Sequence, residues 1–183
     1  MKVLVPLTEG FEEIEAVTVI DVLRRGGLSV VTASVTGSIE VKGAHGIVMK
    51  ADQLIAAVPE DAGYDAIVLP GGPGTGSLGK SEHLVALLRR QREAGALLAA
   101  ICAAPTVLTD LGLVEPGVHL TCYPACALDL DRPSSGVPCV EDGAYITGQA
   151  PGSALLFSLV VLKRLAGESV SAKVARGMVA DVL

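Results

Sequence analysis

The chain has no tryptophan, two phenylalanines and three tyrosines in 183 residues. Single-stranded nucleic acids are gripped by aromatic platforms and duplexes by clustered Lys and Arg. Here 14 Lys and Arg face 20 Asp and Glu, with no basic run and a formal net charge of −6, so nucleic acid is disfavoured as the main ligand. Long apolar runs are missing as well. "GALLAAICAAPTVL" and "ALLFSLVVL" fall short of the roughly 20 residues a membrane span needs, and no membrane partner is expected. The first strand-like segment, "KVLVPL", begins at Lys2 and is followed at once by acidic residues. That leaves no room for a cleavable leader and predicts a cytoplasmic protein. Linkers, repeats and low-complexity tracts are also absent, so residues 1–183 read as a single domain.

Metal and cofactor signatures are equally sparse. The cysteines are Cys102, Cys122, Cys126 and Cys139. Cys122 and Cys126 are spaced like metal ligands, but no histidine or second close cysteine pair completes a tetrahedral set. "LPGGPGTG" (69–76) is neither a Walker loop nor the G-x-G-x-x-G dinucleotide fingerprint. No metal and no cofactor is expected, and in a reducing compartment the four thiols are expected to be free.

What is present is alternation. Half of the residues are hydrophobic and 19% are charged, and the apolar residues fall in short blocks. Strands are predicted at 2–7, 28–35, 65–72 and 95–101, with a further strand at "VHLTCY" (118–123). Helices are predicted at 11–25, 81–94, 104–112 and 151–167, with another at the C-terminus. Hairpins are expected in 38–50 and around Asp142-Gly143. Apolar strands alternating with helices imply a doubly wound, mostly parallel α/β sheet with helices on both faces. Ligands bind such sheets beyond the carboxyl ends of the strands. There the breaks at Pro6–Gly10, Gly71-Gly72 and Cys102 should converge.

Two residues stand out on chemical grounds. On an ideal helix Glu15 shares a stripe with Phe11, Val19 and Val22. A carboxyl there is costly unless protonated or partnered, and burial raises its pKa; the bland reading is a surface residue. Glu12 and Glu13 read as first-turn acids complementing the helix dipole. Cys102 sits where a strand ends and a helix begins. Core packing would explain it. So would a nucleophile elbow, where a helix N-terminus lowers the thiol pKa and the Ala103, Gly71 and Gly72 amides stand free for an oxyanion.

The stretches "EGFEEIEAVTVIDVLRRGG", "YDAIVLPGGPG", "AAICAAPTVL" and "GQAPGSALLFSLVVL", in this order, resemble the ThiJ/PfpI superfamily, in particular its DJ-one and YajL-type branch. The resemblance implies a flavodoxin-like fold and a homodimer. It implies that Cys102 is a readily oxidised nucleophile, that Glu15 is protonated and bonded to the thiolate, and that the Gly72 and Ala103 amides line an oxyanion pocket. Two departures matter. The protease-like branch has histidine directly after the cysteine, where this chain has Ala103, which disfavours peptidase activity. Glyoxalase-type members carry histidine where this chain has Tyr123, a weaker base that could donate a hydrogen bond or only wall the pocket. His45 falls where relatives often place an arginine reaching towards the partner subunit's site; its bland reading is a surface loop residue.

The function this implies is a glutathione-independent glyoxalase or deglycase acting on small 2-oxoaldehydes such as methylglyoxal and glyoxal, or on their early adducts. The alternative is a non-enzymatic oxidative-stress sensor or redox-regulated chaperone working through the same cysteine. Thiamine-precursor biosynthesis finds no support, because no phosphate-binding cluster is present.

Overall fold

The structure, a computed structural model, describes residues 1–180. Seven strands form one sheet. In chain order the strands are β1 (Lys2–Leu7), β2 (Ser29–Ser34), β3 (Glu40–Lys42), β4 (Val48–Lys50), β5 (Gln53–Leu54), β6 (Ala66–Leu69), β7 (Leu97–Ile101), β8 (Cys139–Asp142) and β9 (Tyr145–Gly148). The sheet order is β5-β2-β1-β6-β7-β9-β8, parallel except for β8 against β9, and β3 and β4 make a separate antiparallel hairpin. Helices α1 (Glu13–Arg25), α2 (Glu82–Glu93), α3 (Ala104–Asp110), α4 (Ala154–Ala166) and α5 (Glu168–Gly177) flank it. This is the flavodoxin-like arrangement.

Strand periodicity explains the two-sided core. Successive side chains point to opposite faces, and both faces here are apolar. Val3, Val5 and Leu7 of β1 join Val68, Ala99 and Ile101 under α1, α4 and α5. Leu4, Ile67, Leu69, Leu98 and Ala100 pack on the other side with Leu84, Leu88, Val107 and Leu108 of α2 and α3. Both phenylalanines, Phe11 and Phe157, are fully buried on the α1/α4 side. α1 ends as its sequence indicates, with Arg24 and Arg25 in the last turn and Gly26 as the cap.

Three expectations need correction. α1 begins at Glu13, two residues later than the apolar stripe suggests, because Glu12 serves as N-cap and accepts the Glu15 N–H at 2.8 Å. "VHLTCY" forms no strand: it contributes one isolated bridge, Leu120 with Ser134. β9 already occupies the place beside β7, and the Thr121 N–H donates to the Thr147 hydroxyl at 2.9 Å instead of to a ladder. The helix expected from Pro151 opens as a 3₁₀ turn over Pro151–Ser153 before α4.

The sheet order reverses direction at β1, with β2 on one side and β6 on the other. Such a switch point opens a crevice at the strands' carboxyl ends. The loop after β6 is pressed against the loop after β1: the Glu12 N–H donates to the Gly71 carbonyl at 2.9 Å and the Gly74 N–H to the Gly10 carbonyl at 3.1 Å. A Cβ at Gly74 would collide with the Glu9 carbonyl oxygen, whereas one at Gly76 would meet nothing within 4 Å. Gly74→Ala is therefore expected to cost about 3 kcal/mol by overpacking, and Gly76→Ala to be near neutral. Urea unfolding midpoints of the two variants check this.

Candidate active site

β7 ends at Ile101 and α3 starts at Ala104, so the turn between them must be made in two residues. Cys102 makes it with φ of +64°. For a residue with a Cβ this left-handed conformation costs on the order of 1–3 kcal/mol and persists only when its surroundings enforce it. They do so by clamping the peptides on both sides: the Cys102 N–H donates to the Gly148 carbonyl at 3.0 Å, and its carbonyl accepts the Tyr123 N–H at 2.8 Å. The side chain is thereby turned into the crevice, 8% exposed.

Glu15 meets it from α1. It is 1% exposed. Its Oε2 accepts the Gly71 N–H at 2.8 Å, and its Oε1 is buried without a hydrogen-bond partner among the described residues. The Cys102 thiol is the group set beside this carboxyl. Burial pushes Glu15 up to about 7, with the nearby Glu12 carboxylate adding to the rise and the Gly71 amide and the thiol opposing it. Burial, the Glu15 charge and the Glu15 contact push the Cys102 thiol up to about 12, against the Ala103 and Gly72 amides, which favour the thiolate.

This differs from a thiol activated by a helix alone. α3 has only seven residues and lacks a side-chain cap, so its dipole cannot outweigh desolvation next to a carboxylate. The two groups titrate as a pair. When Glu15 is ionised, the thiol keeps its proton. When Glu15 holds the proton, the charge that opposes a thiolate is gone and the acid can donate to sulfur.

The remaining expected residues are brought together around a cavity of about 340 Å³ lined by Glu12, His45, Gly72, Pro73, Cys102, Ala103, Tyr123, Cys126 and Pro151. The Gly72 and Ala103 amides lie beside the Cys102 sulfur. The Gly71 N–H is instead given to Glu15, because a buried carboxyl oxygen needs a donor. A Cβ at Gly71 would lie 2.7 Å from Cys102 Cβ and 2.9 Å from Glu15 Oε2, so glycine is required there by close approach. Tyr123 is half-exposed on the cavity wall, and its hydroxyl makes no hydrogen bond among the described residues.

His45 lies at the mouth of its own chain's cavity and is held there by Glu13. Glu13 Oε1 accepts the His45 N–H at 2.7 Å, and Oε2 lies 2.8 Å from Nδ1. Glu13 is itself buried. Its role is to anchor the 43–47 loop, in place of the dipole partner expected from its position in the first turn. The ion pair lowers Glu13, despite burial, and raises His45. Glu12, Glu13 and His45 make the one group of metal-type donors among the described residues. Glu13 and His45 already satisfy one another, and Glu12 Oε2 is committed to the Glu15 N–H. Cys122, by contrast, points its thiol at the Tyr123 carbonyl at 3.3 Å.

A thiol on a strained turn at the end of a parallel strand, facing a buried carboxyl across the switch point, defines a nucleophile-elbow α/β protein. The comparisons narrow the class. The profile of the DJ-1/PfpI family matches residues 1–164. The chain is 41% identical to protein dj-1beta of Drosophila melanogaster over 96% of its own length and 95% of that protein. It is 35% identical to the glutathione-independent glyoxalase DJR-1.2 of Caenorhabditis elegans over 87% and 85%. Among solved structures, oxidized Toxoplasma gondii DJ-1 superposes with a TM-score of 0.94 at 37% identity, covering 98% of each chain. The chain belongs to the DJ-1/PfpI family.

The raised Glu15 carboxyl has a stability consequence with a definite sign. Between its ordinary 4.5 and about 7 the folded state holds a proton that the unfolded state has released. The contribution is thus complete below pH 4.5 and is lost as pH rises through 7. Its ceiling is about 3 kcal/mol from the size of the shift. Urea unfolding from pH 5 to 8 should show the wild type losing stability relative to Glu15→Gln, whose neutral amide cannot titrate.

Proposed function

We propose that this protein is a glutathione-independent glyoxalase-type enzyme that converts small 2-oxoaldehydes to 2-hydroxy acids, with Cys102 as nucleophile and Glu15 as proton carrier. The observation that carries the reading is the pairing of a strained, cavity-facing thiol with a buried carboxyl that has one unpartnered oxygen. The C. elegans relative named for this activity supports the reaction class.

The chemistry balances without a cofactor. With its proton on Glu15, the Cys102 thiolate adds to the aldehyde carbon. A carbon–sulfur bond forms, and the carbonyl oxygen becomes an oxyanion, stabilised by the backbone amides of the elbow. Glu15 protonates it to a hemithioacetal. The resulting carboxylate then removes the proton on the former aldehyde carbon and returns it to the adjacent carbon, while the proton of the new hydroxyl passes to the neighbouring ketone oxygen. This leaves a thioester of the 2-hydroxy acid, which water hydrolyses to the acid and the free thiol. A carboxyl near pKa 7 is suited to both halves of this transfer at neutral pH. Tyr123 bounds the substrate, and the apolar cavity wall accepts its methyl group. The same addition to an early aldehyde adduct of an amine would register as deglycase activity.

The protein is further proposed to be a cytoplasmic homodimer. Ile14 and Val17 on α1 and Ile47 and Val48 at the hairpin are large, apolar and about half exposed, and no described helix is long and apolar enough to cross a membrane. Sedimentation at micromolar concentration is expected to give twice the chain mass; the mass of one chain refutes the dimer.

The direct test is lactate formation from methylglyoxal without glutathione. Wild type should produce it. Cys102→Ala should produce none, and Glu15→Gln should lose at least a hundredfold in kcat, within the usual contribution of a general acid–base, about 10²–10⁴. Absence of lactate from folded, reduced wild type overturns the enzyme reading in favour of a redox sensor or redox-regulated chaperone.

A further inference from the structure

Cys126 has no part in the chemistry above, yet it lines the same 340 Å³ cavity as Cys102. Cys122 is fully buried and aims its thiol at the Tyr123 carbonyl, and Cys139 lies on the edge strand β8, so neither faces the cavity. The backbone path between the two cavity thiols is short. The Cys102 carbonyl accepts the Tyr123 N–H at 2.8 Å, and the Tyr123 carbonyl accepts the Cys126 N–H at 2.8 Å. Cys126 closes a three-residue 3₁₀ turn, Pro124–Cys126, that has no side-chain cap and no buried residue. A turn with so few buried contacts moves at low cost, and a disulfide needs its two Cα atoms within about 7 Å and their Cβ atoms turned towards each other.

We propose that Cys126 is the resolving thiol of Cys102, so that hydroperoxides convert the cavity to an internal disulfide. The inference rests on the reading of Cys102 as the reactive thiol. In the first step the Cys102 thiolate attacks one oxygen of the hydroperoxide. The O–O bond breaks, an alcohol or water leaves after taking up a proton, and Cys102 becomes a sulfenic acid. In the second step the Cys126 thiolate attacks the Cys102 sulfur, the S–O bond breaks, and the hydroxyl leaves as water with the proton Cys126 gave up. Sulfur has supplied two electrons and the peroxide has accepted them. A dithiol reductant reverses the second product to two thiols.

The order of events follows from the surroundings. Gly72 and Ala103 amides and the Glu15 proton favour a thiolate only at Cys102. Burial opposes a thiolate at both sulfurs, with an ionised Glu15 adding to it at Cys102 and Asp129 at Cys126; Cys102 is taken as the first thiol because it alone sits on the left-handed elbow beside a carboxyl that can accept its proton. Without Cys126 the sulfenic acid would stay exposed to more peroxide and climb to the irreversible sulfinic acid.

The experiment treats the fully reduced protein with a small excess of hydrogen peroxide, blocks free thiols and maps peptides by mass without reduction. Wild type is expected to yield the peptide containing Cys102 joined to that containing Cys126, restored to two thiols by dithiothreitol. Cys126→Ser should instead accumulate Cys102 sulfinic acid several-fold faster than wild type. Wild type that forms sulfinic acid at the rate of Cys126→Ser, with no joined peptide, overturns the proposal, and so does a Cys122–Cys126 linkage. Cys102 left reduced while other thiols react overturns instead the reactive-thiol reading beneath it, a result seen before any pairing is scored. The wild-type map stands even if Cys126→Ser fails to fold.

Discussion

One proton shared between a buried carboxyl and a buried thiol governs this molecule's site. Neither group can be ionised freely beside the other, because a second negative charge in the same desolvated space has no counter-ion there among the described residues. The surroundings offer backbone donors to both groups. Gly71 gives its amide to Glu15, while Gly72 and Ala103 turn theirs to the sulfur. Moving the proton from one atom to the other therefore changes which set of donors is in use, without requiring a side chain to swing.

The fold exists in the form it does around that constraint. Bringing α1 and β7 close enough for Glu15 and Cys102 to meet leaves no volume at position 71 for a Cβ. Gly72 has φ of +109°, and a Cβ there would lie 2.6 Å from the Glu12 amide nitrogen. The carboxyls at the start of α1 then divide the labour. Glu12 closes the helix, Glu13 ties down the 43–47 loop through His45, and Glu15 alone is left with a buried oxygen that has no partner among the described residues. Three acids within four residues thus have three different sets of partners, set by depth and by donors rather than by residue type.

Much of the frame was legible in the sequence because burial on both faces writes itself as short apolar blocks. "KVLVPL", "DAIVLPGG" and "GALLAAI" became β1, β6 and β7 near their predicted bounds. Cys102 and Glu15 could be singled out for the same reason: each interrupts a local rule, a thiol at an element boundary and an acid on an apolar stripe. What could not be read was which donor goes to which acceptor. The assignment of the Gly71 amide depends on a contact 56 residues away in sequence. Glu13 gave a signal only through its coupling to Gly43–Ile47, where a Cβ at Gly43 would strike the carboxylate. "VHLTCY" misled because its alternation is that of a strand, while Thr121 holds an irregular path by giving its N–H to the Thr147 hydroxyl and its own hydroxyl to the Val137 carbonyl.

The hydrogen bond from the Cys102 N–H to the Gly148 carbonyl has a further meaning for the life of the chain. The elbow is clamped by a residue made 46 positions later, and the cavity wall at Pro151 comes later still. A chain emerging from the ribosome can pair β1, β2, β6 and β7 long before β9 exists, yet until β9 docks nothing on that side holds Cys102 in its left-handed turn. Parallel sheets assembled from such distant partners close slowly. The nascent protein therefore carries Cys102 as an ordinary thiol through most of its synthesis, and the left-handed turn that sets it beside Glu15 is clamped only with the last parallel strand.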